Sequence, residues 1–564
     1  MALVRVLVTR LAAALVVAAL SVAGYPATLI VDLGIRQGKA AVVPGWLHVE
    51  NPSGGLPYIS DDQGREMLLH GAIPAGLIDF WSGADPAVLA PPTHYPIDPA
   101  AYDGKCPVNS ALIRTPPLCR NDIDEMKALG FDSVRLPISW SLLEPERGKF
   151  DARYLDRIAQ VVSWAKQDGL WVIIDMHQNA YSRYTGRPSF PPLPYGKTPH
   201  LWDHSGAPPW ATITDGLSAE DYGGQRELDP AVLEADTNFW YDRNGIQEEY
   251  ISAVARLAAR FKDEPAVAGY SIFNEPWPGW SLPPAFEDLL LFPFYRRVID
   301  AVTGVNDGIR CPARLLFLSI CGARDAGVHD SRHLFFLDTG LDREVTDFPT
   351  HLGLPVSSYP NLVLSIHAYT HVYTVDALAG QKADSAVYPP GGYDLSYATA
   401  EKEAKAIGAA LFVAEFGNDP QLDPMLLANQ LKEQEKHRVG FAFWAWKENC
   451  GNGWGIYDPV VSGGCAYDQP RAKQDTGAKP ENGCLRQSRE RLLARVYPAA
   501  APADYGYSYD PAGGAFSMTG RGDPNRVRLM VPSEVTAAPV TTRLAGDRYR
   551  IDIPAAPLRL KGCA

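Results

Sequence analysis

Residues 267–276 read Val267-Ala268-Gly269-Tyr270-Ser271-Ile272-Phe273-Asn274-Glu275-Pro276, an apolar run that stops on an amide, a carboxylate and a proline. Residues 411–417 repeat the pattern as Leu411-Phe412-Val413-Ala414-Glu415-Phe416-Gly417. Runs this continuous suit strands covered on both faces, as in a parallel sheet. Each carboxylate is then delivered to one end of a strand.

Working outward from these two, eight such runs alternate with longer stretches between about Glu66 and Tyr497. They are Met67 to His70, Ser133 to Pro137, Trp171 to Met176, Val267 to Phe273, Leu315 to Ile320, Leu362 to Ile366, Leu411 to Ala414 and Gly440 to Trp444. Tyr154 to Gln167, Ile246 to Phe261 and Leu426 to His437 carry apolar residues at helical spacing, with Gly169 and Gly440 where helix-ending glycines are expected. Strand-helix alternation of this kind predicts an α/β fold, a closed (β/α)8 TIM barrel. The rival open, doubly wound sheet lacks its Gly-x-Gly-x-x-Gly after the first strand. Long connections at Ala72 to Cys119, Tyr184 to Thr237, Gly322 to Tyr359 and Lys447 to Cys484 are expected at the face where barrel active sites form.

After Tyr497 the texture changes. Pro498 to Ala503 reads as a Pro/Ala linker, and Val527 to Val531 and Tyr549 to Ile553 alternate apolar with polar residues. The expected organisation is a signal peptide over 1–24, a catalytic barrel with an N-terminal extension over 25–497, and a small C-terminal all-β sandwich over 498–564. A module that small is weak alone and should lean on the barrel.

The 564 residues carry a formal net charge of -13 and a pI near 5.4, with no basic stripe, which excludes a nucleic-acid partner. Arg5 and Arg10, the apolar run Leu11 to Val22, and Ala23-Gly24 form a secretory pattern, so the protein is expected to be secreted and extracellular. The run is shorter than the ~20 residues that span a bilayer. Eight cysteines without a Cys-x-x-Cys pair point to disulfides and not to zinc. Cys106 with Cys119, and Cys450 with Cys465, bracket loop-like stretches that could close locally; Cys311 and Cys321, at the ends of one strand candidate, are too far apart to pair.

Polar residues gather where the strand runs end: Arg135 in the second, His177 after the third, Asn274-Glu275 after the fourth, His367 and Tyr369 after the sixth, Glu415 after the seventh and Trp444 at the eighth. In a barrel these ends converge on one opening. Two glutamates there can divide glycoside hydrolysis, one protonating the leaving oxygen and the other attacking the anomeric carbon. Glu275 and Glu415 are the candidate catalytic pair. Tyr369 and Arg135 are suited to hold the nucleophile ionised, Trp277 to shield the acid, Asn274 to bind a sugar 2-hydroxyl, and Trp444 to offer a flat face to a pyranose, with Trp446 its competitor. No metal and no cofactor is required by this chemistry.

In this order along the chain, the set resembles glycoside hydrolase family 5, and within it the endoglycoceramidase group with its glucosylceramidase and steryl-glucosidase relatives. The resemblance rests on Asp175-Met176-His177-Gln178-Asn179 with Tyr181-Ser182-Arg183, Gly206-Ala207-Pro208-Pro209-Trp210-Ala211, Asn274-Glu275-Pro276-Trp277-Pro278-Gly279 and Arg495-Val496-Tyr497-Pro498. It implies Glu275 as acid/base, Glu415 as nucleophile, and a glycolipid substrate in which a β-glycosidic bond joins glycan to ceramide or a similar lipid. Asn179 stands where the relatives usually carry Asp, and Leu69-His70-Gly71 where many have Arg-Gly; both departures leave glucose or galactose open as the first sugar. Trp277 to Tyr295, crowded with Trp280, Leu282, Phe286, Leu289, Leu290, Leu291, Phe292 and Phe294, reads either as a lipid- or membrane-facing surface or as an ordinary outer helix. The remaining alternatives are a glucosyl- or galactosylceramidase, a steryl-β-glucosidase, an exo-β-glucosidase or glucanase, and a non-catalytic carbohydrate-binding barrel. Oligomeric state is not encoded in any pattern found.

Overall fold

The computed structural model describes residues 43–78, 97–106, 117–186, 205–217, 226–281, 286–305, 325–351, 356–378, 391–448, 454–458, 484–556 and 558–561. Eight parallel strands close into a barrel: β1 (His70–Ala72), β2 (Ser133–Ile138), β3 (Trp171–Met176), β4 (Val267–Ser271), β5 (Leu334–Asp338), β6 (Leu362–His367), β7 (Ala410–Phe416) and β8 (Gly440–Phe443), with β8 pairing β1. A helix precedes each return to the barrel, α1 (Arg120–Leu129), α2 (Ala152–Asp168), α3 (Ile246–Phe261), α4 (Phe292–Thr303), α5 (Leu341–Thr346), α6 (Gly391–Ala406) and α7 (Leu426–His437), and α8 (Gln487–Leu493) follows β8; Trp140–Leu143, Pro230–Trp240 and Val375–Leu378 are further helices within the connections.

Local chemistry sets the ends of these elements. Asp151 caps α2 by accepting from the backbone of Arg153 and Tyr154, at 2.8 and 3.2 Å, and Gly169 ends it in the left-handed region. Cys119, disulfide-bonded to Cys106, opens α1 and donates its N–H to Asp122 at 2.8 Å. Cys311, Cys321, Cys450 and Cys465 lie outside the described residues.

Three expectations change. The fifth strand is Leu334–Asp338, whereas the expected run Leu315 to Ile320 lies outside the described residues. Both runs are apolar enough, but only the second brings a carboxylate, Asp338, to the mouth. Gly440 does not end a helix, since Arg438 takes the left-handed cap of α7. Gly440 starts β8, where a Cβ would meet the Leu69 backbone oxygen at 2.7 Å.

The third correction concerns the barrel floor. Met67, expected to open the first barrel strand, instead lies in the strand Glu66–Met67, which joins a separate five-stranded sheet with Leu47–Glu50, Tyr58–Asp61, Tyr497–Ala501 and Arg528–Met530. The expected linker Pro498 to Ala503 is therefore largely a buried strand, with Ala500 opposite Met67 and Tyr497 opposite Met530. Its small side chains, which look like linker composition, allow close approach to the barrel: Ala500 packs with Leu47, Ile59 and Met67 against Trp171, Leu334, Val363 and Phe412. A second sheet, Tyr505–Asp510, Ala515–Arg521, Val540–Arg543 and Arg548–Ile553, stacks on the first through Tyr505, Tyr509, Phe516, Met518, Tyr549 and Ile551. This β-sandwich closes the N-terminal end of the barrel and leaves the C-terminal end for the site. No helix among the described residues is long and apolar enough to cross a membrane.

Candidate active site

Arg135, at the centre of β2 and fully buried, organises the mouth. Its Nη1 donates to Glu415 Oε1 at 2.5 Å, and its Nη2 faces Asn274 Oδ1 at 2.8 Å, Asp175 Oδ1 at 3.1 Å and Asp338 Oδ2 at 3.4 Å. Burial alone would make a guanidinium easier to discharge, but Asp175, Glu415 and Asp338 outweigh it and hold Arg135 charged. Tyr369 donates its hydroxyl to the other Glu415 oxygen at 2.9 Å. Two donors thus fix both oxygens of one buried carboxylate.

Glu275 is held differently. Its backbone lies at φ +42°, in the left-handed region that a side chain seldom enters. Gln178 holds this turn: its Nε2 donates to the Asn274 carbonyl at 2.6 Å and the Glu275 carbonyl at 2.9 Å, while its Oε1 accepts from Tyr181 N at 2.6 Å. His367 Nδ1 faces Glu275 Oε1 at 3.0 Å. A ring nitrogen of His367 and one carboxylate oxygen each from Glu275 and Glu415 all lie within 4.8 Å of one another.

One wall of the mouth comes from the ends of β3 and β8. His177 Nδ1 lies 2.9 Å from Asp175 Oδ2, and its ring stacks parallel to Trp444 with centroids 5.6 Å apart. The Asp175 carboxylate fixes the proton on Nδ1 and leaves Nε2 as an acceptor. Burial pushes the Asp175 carboxyl up, but Arg135 and His177 bring it below its ordinary value. His177 Nε2, Asn179 Oδ1 and Trp277 Nε1 are buried atoms with no hydrogen-bond partner among the described residues. Such atoms near a cleft are poised for a polyhydroxylated ligand. Asn274 has its amide oxygen on Arg135 and donates from Nδ2 to the Gln178 carbonyl at 2.9 Å, which leaves one amide hydrogen for a sugar hydroxyl.

The stretch from Ser205 to Ala211 buttresses this wall. Ser205 O accepts from Asn179 N, Gly206 O from Ser141 N, and Ala207 O from Ser182 Oγ. At Gly206, φ +139°, a Cβ would sit 2.2 Å from the Tyr181 carbonyl oxygen, so glycine is required.

Nine of the ten expected site residues lie at or shortly beyond these strand ends, and Arg135 reaches the mouth from the centre of β2. Asp175, Gln178, Asp338 and Glu344 join them without standing out at an expected strand end, and the signal for the first two is the Asp175-to-Asn179 motif itself. His70 lies at the floor, stacked between Phe441 and Tyr497 with ring centroids 4.1 and 3.7 Å away. In the Trp277-to-Tyr295 stretch, Phe286, Leu290, Leu291, Phe292 and Phe294 are buried in the core; Trp280 and Leu289 remain exposed, and Leu282 lies outside the described residues. The outer-helix reading therefore accounts for most of it.

Among the described residues a second acid-histidine cluster, Asp394, Glu433 and His437, lies on α6 and α7, but the Lys436 ammonium already pairs with Asp394 and Glu433. At the mouth, Arg135 and His367 supply the positive charge.

A closed eight-stranded barrel with two carboxylates facing each other at its C-terminal mouth is an arrangement that glycoside hydrolases use. The chain belongs to glycosyl hydrolase family 5: the family pattern described as cellulase matches residues 119–450. It is similar to endoglycoceramidase I of Rhodococcus hoagii, 32% identical over 162 residues that cover 29% of this chain and 30% of that protein. A glucosylceramidase of Cryptococcus neoformans is 26% identical over 276 residues, covering 40% of this chain and 33% of that one. These alignments thus span about a third of each curated relative. Among solved structures, an endogalactoceramidase is 28% identical with a TM-score of 0.61, covering 91% of this chain and 98% of that chain. Endoglycoceramidase II from Rhodococcus sp., in complex with ganglioside GM3, shares the fold at 21% identity and a TM-score of 0.62, with 88% and 99% covered.

Proposed function

We propose that the protein is a secreted, retaining β-glycosidase that cleaves the bond between glycan and ceramide in glycosphingolipids. The observation that carries this reading is the contrast in how the two glutamates are held. Glu415 is clamped by Arg135 and Tyr369, and Glu275 faces it across a gap of no more than 4.8 Å between oxygens. Retaining enzymes set their two carboxyls about 5 to 5.5 Å apart, close enough for one to attack carbon.

Glu415 attacks the anomeric carbon while Glu275 gives its proton to the departing oxygen, leaving a glycosyl ester on Glu415. Glu275, now a carboxylate, takes a proton from water as that water attacks the same carbon, and both glutamates return to their starting states. The sugar lies against Trp444, with hydroxyls on His177 Nε2, Asn179 Oδ1 and the free Asn274 hydrogen. A lipid aglycone is supported by the names of the similar proteins. Galactose as the first sugar is favoured by the likeness to an endogalactoceramidase and by neutral Asn179, which offers no charge-assisted bond.

The test is incubation of the protein, and of Glu275→Gln and Glu415→Gln, with gangliosides, glucosylceramide, galactosylceramide and an aryl β-glucoside, with products read by mass spectrometry. Intact oligosaccharide plus free ceramide, lost in both variants, is the expected result. Release of single sugars alone would move the assignment to a glucosyl- or galactosylceramidase. Activity confined to the aryl glucoside would withdraw the lipid substrate.

A further inference from the structure

Ala180 at φ +47°, Tyr181 at +65° and Glu275 at +42° place three residues other than glycine in the left-handed region, within two neighbouring turns. Such a conformation persists only where its surroundings over-determine it. Both turns close on one buried side chain, Gln178. Its amide gives both hydrogens to successive carbonyls, those of Asn274 at 2.6 Å and Glu275 at 2.9 Å, while its oxygen accepts from Tyr181 N at 2.6 Å. Carbonyls only accept and an N–H only donates, so these partners fix which way round the amide lies. The Gln178 carbonyl accepts in turn from Asn274 Nδ2 at 2.9 Å. Three hydrogen bonds thus tie residues 178–181 to residues 274–275, and a fourth closes the first turn on itself. Gly206 packs so closely on the stem that a Cβ there would sit 2.9 Å from Gln178 Cβ. Neither amide hydrogen of Gln178 is left for a substrate.

We propose that Gln178 is a positioning residue: it braces the turn of Glu275 against the turn that carries Asn179, and so sets where the Glu275 carboxyl meets the glycosidic oxygen. The proposal rests on the reading of Glu275 as acid/base, and it concerns the place of that carboxyl, not its charge. Rotating the Glu275 backbone out of the left-handed region would swing its Cα–Cβ bond, and with it the carboxyl that now lies 3.0 Å from His367 Nδ1. Proton transfer requires the acid within hydrogen-bond reach of the leaving oxygen, and a misplacement of about 1 Å can cost about 100-fold in rate. The three donated bonds hold the chain against that rotation. Replacing Gln178 separates its two duties: Glu keeps an acceptor for Tyr181 N but, when ionised, has no hydrogen for the two carbonyls, and Met keeps the length with neither function.

The experiment measures kcat/KM for wild type, Gln178→Glu, Gln178→Met and Glu275→Gln on phenyl and 2,4-dinitrophenyl β-glycosides of the glycan that the wild type releases. The phenyl leaving group needs a proton from the acid, and the dinitrophenyl group does not. Both Gln178 variants should lose about 10- to 100-fold on the phenyl substrate and less than about threefold on the dinitrophenyl one. A merely structural role would lower both alike. Equal losses on the two substrates, or no loss on either, would therefore overturn the positioning role. Should Gln178→Met fail to fold, Gln178→Glu decides by the same ratio. Glu275→Gln separates the two readings: the same selective loss in it, but not in the Gln178 variants, removes only the role of Gln178. Equal losses in Glu275→Gln remove the acid/base assignment and the proposal with it.

Discussion

The two ends of the barrel bury ionisable groups by opposite means. At the mouth, Asp175, Asp338, Glu415 and Arg135 form one connected set, so a charge removed from water meets another charge. At the floor, Glu66 and Asp132 are buried among apolar side chains with weaker compensation. Burial pushes Glu66 up to about 7 against the pull of Arg438, 3.5 Å away, and Asp132 up to about 6. At the mouth Arg135 and His177 bring Asp175 below its ordinary value, while at the floor burial lifts Glu66 and Asp132 above theirs. Burial by itself therefore does not mark a catalytic acid; the partners do.

That comparison can be broken at either end. Glu415→Gln should lower kcat on an aryl β-glycoside by about 10⁴-fold or more without lowering the melting temperature, because an amide cannot form the glycosyl ester. Residual activity near wild type would place the nucleophile elsewhere. Phe412→Ala, at the floor, should do the reverse. Phe412 is fully buried and meets Phe336 edge-on at 5.5 Å, so truncation should cost about 3 to 5 kcal/mol in urea unfolding. A loss under about 1 kcal/mol would mean that the floor is not packed as described.

Glu66→Gln sharpens the electrostatic half. Below pH 4.5 this carboxyl is protonated whether the chain is folded or not. Between 4.5 and about 7 the folded chain holds a proton that the unfolded chain has released, so stability falls as pH rises and the contribution is gone above about 7. Unfolding free energy should therefore drop by no more than about 3 kcal/mol across that window in wild type, and by less in Glu66→Gln. Equal slopes would show that Glu66 titrates normally. Tyr369→Phe should have the smallest effect, an about 10- to 100-fold loss of kcat with little change in KM, as expected for one hydrogen bond to a charged group. A rise in KM alone would recast Tyr369 as a substrate contact.

The mouth was more legible in the sequence than the floor, for a physical reason. Strands buried on both faces must be apolar, so the polar residues where they stop stand out, as Glu275, His367 and Glu415 did. Asp175 looks like an interruption of its apolar run until the fold brings Arg135 beside it, and Asp338 ends a strand, Leu334–Asp338, that is not among the expected runs. Glu344 lies on a short helix with no periodicity to advertise it. At the floor, Pro498 to Ala501 has the composition of a linker, and only the opposed strand Glu66–Met67 reveals the narrow space those small side chains fill. His70 drew attention as a departure from relatives, yet its place between Phe441 and Tyr497 makes it a packing residue.

The shared sheet also bears on the order in which the molecule is made. Strands near residues 47–67 leave the ribosome first, but their sheet is finished by residues 497–530, more than four hundred positions later. Closing so long a loop is entropically slow, and a topology dominated by distant pairings folds late. The nascent barrel thus waits with its apolar base uncovered until synthesis is almost complete. A chain cut short before Tyr497 would present that base permanently, to chaperones and to other unfinished copies of itself.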